Sequence, residues 1–200
     1  MPLRAPISHH LDLYRYWLAK RGSRAMPARS DLNPCDVPAL LPYLGLVNKV
    51  DGQFRWRLVG TAVTQEFGHD PTGSILGSYA STPESAAASR VVHERVFTTA
   101  CPVFATGELK VKSGSIINMS LLTLPLSDDG TDVNMAVSSL VVRFNLCVTA
   151  RTGWPEGARV KVRDMVDVHD AAKIEERCLD WERYSDDQRR RAEGIAQRAQ

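Results

Sequence analysis

Between Phe54 and Val59 the apolar residues Phe54, Trp56 and Leu58 alternate with Arg55 and Arg57, the period of a half-buried strand. Gly60 and Thr61 stop it. Thr61 can cap a short helix with Ala62, Val63 and Phe67 on its apolar side, Gly68 suits the position just past its end, and Asp70-Pro71-Thr72-Gly73 is a turn. Upstream, Ser8 to Arg21 reads as a helix: Leu11, Leu13, Tyr14, Trp17 and Leu18 fall on one broad side, with Asp12, Arg15 and Ala19 on the other. Lys20 and Arg21 suit its negative end, and Gly22 can terminate it.

The prolines of residues 22–42 exclude a long helix and predict an extended connector with one short helical turn. Leu44 to Val50 and Phe54 to Val59 form two strands joined by the hairpin signal Asp51-Gly52. Thr82-Pro83-Glu84 opens a helix expected to run to about Ala100, with a capping hydroxyl, a proline at the first position and a carboxylate in the first turn. Three further strands are expected over Val103–Lys112, Ser115–Leu124 and Val133–Phe144. The segment after Phe144 is ambiguous, with loop signals at Thr152-Gly153-Trp154-Pro155. From Asp170 a helix carries Ile174, Cys178, Trp181 and Tyr184 in one stripe, and its last ten or so residues are expected to be frayed or disordered. The order defines an α+β protein with a five-stranded antiparallel sheet. The divisions expected are a helix and connector over 1–42, a core over 43–145, and a loop and helical extension over 146–200.

The run RLVGTAVTQEFGHDPTG resembles the mid-region of a bacterial PAS-like family, mostly alphaproteobacterial, in which RLVGT, a short helix and FGxDxTG recur in that order. YRYWLAKRGSRAMPARSDLNPCDVPALLPYLGLV is similar to that family's tryptophan-bearing helix and proline-rich connector, and TLPLSDDG to its late hairpin. The resemblance spans roughly residues 11 to 144. It implies a sheet with its helices on one face, flanked here by N- and C-terminal helical extensions, and a sensory role.

Composition narrows the picture further. Hydrophobic residues make up 44% and charged residues 24%, enough to bury a core, and a net charge of +2 gives no push toward nucleic acid. The basic run Arg189-Arg190-Arg191 sits among Asp186, Asp187 and Glu193 and reads as a solvated helix end. Cys35, Cys101, Cys147 and Cys178 are widely spaced, which argues for reduced thiols and against a zinc site. The start MPLRAPISHH lacks an apolar leader, and no stretch approaches the roughly 20 apolar residues of a membrane span, so the cytoplasm is the expected compartment and no membrane partner is expected.

Catalytic motifs are sparse. No GxSxG, GxGxxG or GxxxxGK[ST] run occurs, and His9 and His10 fall at what reads as a loose N-terminus. His69 beside Asp70 reads as part of a turn. His93 projects to one side of the Ala88, Val91, Val92, Val96 stripe, near Phe97, and so marks a helix flank, which argues against a haem-ligand role. The cysteine motif of light-sensing flavin domains is missing, and no cofactor is expected.

The function expected is a non-enzymatic cytoplasmic sensory or adaptor module. It would act through a small apolar ligand, a signalling partner, or a homodimer. A pocket between sheet and helices would be lined by Trp56, Leu58, Phe67, Val92, Phe104 and Met119, and the partner or dimer helices would present Leu11, Tyr14, Trp17, Leu18, Ile174 and Trp181. For the first helix the same side is open to a second use, covering the chain's own sheet as intramolecular core. The alternative is a small α+β enzyme with an apolar-substrate cavity and His93 or Asp70 as base.

Overall fold

The computed structural model describes residues 8–67, 70–110, 116–144 and 159–198. Helix α1 (Ser8–Arg21) leads through three short 3-10 turns, Arg29–Asp31, Pro34–Asp36 and Leu41–Tyr43, into strands β1 (Leu44–Val50) and β2 (Gln53–Val59). Helices α2 (Thr61–Phe67) and α3 (Pro83–Thr99) follow, then strands β3 (Val103–Lys110), β4 (Ile116–Leu126), β5 (Met135–Phe144) and β6 (Arg159–Asp167), and helix α4 (Ala171–Arg198). The strands form one sheet in the order β2-β1-β5-β4-β3-β6, every neighbouring pair antiparallel.

Local signals explain most of these boundaries. Asp51 and Gly52 both take positive φ, 51° and 76°, the backbone that a two-residue hairpin turn matched to strand twist requires. Thr82 accepts a hydrogen bond from the Ser85 amide at 3.2 Å and Pro83 occupies the first helical position, so α3 starts where the sequence places it. Between β4 and β5 the Asp129 carboxylate accepts the amides of Thr131 and Asp132 and the Ser127 hydroxyl. That closes the late hairpin.

Two elements differ from expectation. The sheet has six strands, because Arg159–Asp167, within the ambiguous segment, pairs along the whole of β3. The last turns of α4, expected to fray, are helical through Arg198. Arg183–Asp180, Arg189–Asp186 and Arg190–Asp187 pairs one turn apart line the helix just before that stretch, each a small surface contribution.

Alternation along the strands sends side chains to two cores. On one face Val103, Ala105, Leu121 and Ala136 pack under Val92 and Val96 of α3. On the other, Phe104, Leu122, Leu124, Leu126 and Val137 pack against Leu13, Tyr14 and Trp17 of α1 and Ile174 and Cys178 of α4. The two terminal helices thus cover the sheet face opposite α2 and α3. Trp17, 1% exposed, donates its indole N–H to the Pro125 carbonyl at 2.8 Å.

His9 and His10 are not at a loose terminus, as the sequence suggested, but inside α1. His10 is fully buried, with Nε2 2.9 Å from the Ser120 hydroxyl and Nδ1 bonded to the Ser139 hydroxyl. Burial, aided by the neighbouring His9 and Arg143 charges, pushes its pKa down to about 3. A neutral imidazole therefore joins α1 to the two central strands.

Candidate functional site

Helix α3 packs over one face of the sheet and leaves a cavity of about 110 Å³ beneath it, partly open to solvent. Ala88, Ser89, Val92 and His93 of α3 form its roof. Trp56, Ala105, Gly107, Met119 and Leu121 form its floor, β6 adds Val160 and Val162, and Pro71, Leu76 and Tyr79 close one side. The space exists because small residues, Ala88, Ala105 and Gly107, stand where bulkier ones would fill it. Gly107 also lets β6 approach, since a Cβ there would lie 2.9 Å from the Lys161 carbonyl oxygen.

His93 is the one histidine of this lining, and it is 2% exposed. Its ring lies 6.1 Å from the ring centroids of both Phe54 and Trp56. Among the described residues neither ring nitrogen has a hydrogen-bond partner. Burial lowers its pKa to about 4, so at neutral pH it is an uncharged imidazole offering one donor and one acceptor. Desolvation also raises the Tyr79 phenol, while a hydrogen bond with Ser89 acts the other way.

Of the pocket residues named from sequence, Trp56, Val92 and Met119 line the cavity. Leu58 does not: it is 44% exposed and faces the opposite side of the sheet, beside Leu13 and Leu44. The reason is a β-bulge. Leu46 pairs with Leu58 but Val47 pairs with Trp56, so Arg57 is an extra residue and the alternation inverts after it. Phe104 lies in the α1/α4 core. The side chain of Phe67 and residue His69 lie outside the described residues. Asp70 is exposed, and its carboxylate accepts the Thr72 amide and hydroxyl in the expected turn.

His93 is interior, not at a helix flank. Helix α3 is buried over a wide arc, meeting β2 through Phe97, whose ring is 5.0 Å from Phe54, and β6 through the Ser85 hydroxyl, which accepts the Val160 amide. The apolar stripe of Ala88, Val91, Val92 and Val96 understates that arc.

The first helix takes the intramolecular option, and the C-terminal one is docked on the chain itself as well. Tyr14, Trp17, Ile174 and Trp181 are buried on the chain's own sheet, and Leu11 and Leu18 pack against the same core. A second hollow, about 190 Å³, lies between α4 and strands β3 and β6, but its charges are matched internally: Arg177 pairs with Asp164 and Arg163 with Glu108. Among the described residues no cluster of three His, Cys, Asp or Glu side chains could hold a metal, and no helix is long and apolar enough to cross a membrane.

Gly45 in β1 sets the position of Trp56, because a Cβ there would come within 2.7 Å of the indole Cζ3. Gly45→Ala is expected to displace the ring and lower stability by about 1–3 kcal/mol. The urea midpoint measures this, and an unchanged midpoint would mean that the indole does not rest on this glycine.

The PAS domain family model matches residues 7–141, more than half of the chain. The chain belongs to the PAS domain family, a family of sensory signalling modules. No curated protein matches. Among solved structures, a light-oxygen-voltage domain studied with a flavin analogue is similar at 10% identity, with a TM-score of 0.44 over 55% of this chain and 82% of that one.

Proposed function

We propose that this protein is a cytoplasmic sensory or adaptor module that takes up a small ligand beneath α3 and signals through association, without chemistry of its own. The observation that carries this reading is the apolar cavity with a buried, unpartnered imidazole in its wall. The lack of a carboxylate oriented on His93 among the described residues supports a binding role over acid–base work. At about 110 Å³, below the ~150 Å³ void that accepts a benzene, the cavity supports the reading of a small ligand.

Signal output has a direct route in the fold. Strand β6 contributes Val160 and Val162 to the cavity wall and runs through Val168–Asp170 into α4. The Arg95–Asp167 pair, with both carboxylate oxygens engaged, ties the end of β6 to α3. A ligand that spreads α3 from the sheet therefore acts on the strand that leads into the terminal helix. A homodimer belongs to the same proposal, with its contact elsewhere than on the six helix side chains named from the sequence.

Native mass spectrometry with an absorption spectrum of the purified protein tests the reading by reporting bound mass, any chromophore and oligomer together. Ala88→Leu, which fills the hollow, is expected to remove binding of the ligand so found at least tenfold while leaving the fold intact by circular dichroism. Full binding in that variant would move the site elsewhere.

A further inference from the structure

Resting on the sensing role just proposed, we infer that the ligand is a small neutral molecule of about five to seven heavy atoms, a single ring or its equal in size, that carries one hydroxyl or N–H group and docks it on His93. Size follows from the cavity. At about 110 Å³ it approaches the ~150 Å³ void that takes up benzene, and its open side lets the far edge of a ring rest at the mouth.

Charge is excluded by the walls. Trp56, Val92, Met119, Leu121, Leu140 and Val162 surround the space with apolar surface, and an ion brought among them loses its hydration without recompense. His93 supplies no counter-charge, because burial keeps its imidazole neutral. Lys161, at the edge-strand side of the lining, is solvent-exposed.

The polar requirement comes from the imidazole itself. Buried donors and acceptors are almost always paired, and leaving one unmade costs free energy that a partner recovers. His93 lacks a partner on both ring nitrogens among the described residues. A water would need about two to four polar partners, and two of the side chains beside this ring are the aromatic groups of Phe54 and Trp56. A ligand with an apolar body and one hydrogen-bonding group meets both demands at once. Because His93 is 2% exposed, that group enters first and points inward.

Amide and side-chain NMR titrations with phenol, benzene, benzoate and benzylammonium test the class. Phenol is expected to bind with a millimolar or better dissociation constant and to shift the His93 ring and Trp56 indole signals. Benzene is expected to bind at least tenfold more weakly, and the two ions not at all. His93→Leu should erase the preference, weakening phenol at least tenfold while benzene binds as well or better.

Equal phenol affinity in His93→Leu overturns the anchoring role, and preferential binding of either ion overturns the neutral class. Failure of all four probes to shift cavity signals overturns the size and chemistry inferred. If native mass spectrometry then finds another molecule lost in Ala88→Leu, the sensing role stands while this ligand class falls. If nothing is found by either route, both fall.

Discussion

Trp17→Ala is expected to lower the unfolding free energy by about 4 kcal/mol or more, a large part of the ~5–15 kcal/mol that holds a domain of this size together. Two losses combine. The indole is 1% exposed, inside a core built from α1, α4 and four even-numbered or neighbouring strand positions, Phe104, Leu122, Leu124 and Leu126, so its removal leaves a large void. Its N–H also satisfies the Pro125 carbonyl at 2.8 Å, and that acceptor would be stranded in a buried site. Trp17→Phe separates the terms: it keeps most of the apolar volume and forfeits the hydrogen bond, for an expected cost of about 1–2 kcal/mol. Urea unfolding of the three proteins supplies the comparison, and a Trp17→Ala midpoint equal to wild type would mean that α1 is not docked on the sheet.

That prediction depends on a fact the sequence held only in part. The spacing of Leu13, Tyr14 and Trp17 requires a helix with a face to bury, and the face exists. What the face meets is decided by strands more than a hundred residues away, such as Pro125, and helical periodicity contains no information on a partner at that distance. The same limit explains α4, whose Ile174, Cys178 and Trp181 stripe is correct as a buried surface but finds its mate within the chain.

Turn chemistry, by contrast, is local, and it was legible. Asp51-Gly52, Thr82-Pro83 and Asp70-Pro71-Thr72 each specify a backbone geometry that neighbouring residues alone can satisfy, and each is realised. Strand β6 had a local signal too, in the alternation of Arg159, Val160, Lys161, Val162 and Arg163. The irregular pairing next to it, where Thr106 meets Asp164 but Gly107 meets Val162, breaks the period and shortens the pattern.

The site itself was half legible for a related reason. Trp56, Val92 and Met119 followed from placing apolar residues on one side of a sheet and helix. Leu58 was lost to the single extra residue at Arg57, since one inserted position reverses every later side chain. Phe104 was lost because β3 is buried on both faces: Val103, Phe104 and Ala105 are all apolar, so no alternation says which way the ring points. Ala105 and Gly107 gave no sign at all, and Ala88 showed only as a member of the α3 stripe, because a cavity is made by what is missing from a side chain. His93 could have been found by widening the buried arc of α3 to include Phe97, its neighbour one turn on.

Acid is expected to destabilise the protein well above the pH at which its carboxylates titrate. His93 and His10 have pKa values pushed down by burial to about 4 and about 3 in the fold, against ~6.5 in an unfolded chain. Below pH 6.5 the unfolded state therefore binds protons that the folded state refuses, and stability falls as pH falls. The contribution is complete above pH 6.5. That of His93 is lost progressively down to about pH 4, and that of His10 down to about pH 3. At ~1.4 kcal/mol per pH unit and per group, going from pH 7 to pH 4.5 costs on the order of 2–3 kcal/mol for each histidine. The surface carboxylates of Asp31, Asp36 and Asp129, whose pKa values are lowered by hydrogen bonds, act in a separate window below their ordinary range. Urea unfolding at pH 7 and pH 4.5 should show a wild-type loss of roughly 5 kcal/mol. His93→Leu should remove about half of that loss, and His10→Gln, which keeps a polar side chain near Ser120 and Ser139, should remove the other half. A wild-type stability that is flat between the two pH values would mean that both imidazoles reach water, and the dry, uncharged wall argued for the α3 cavity would go with it.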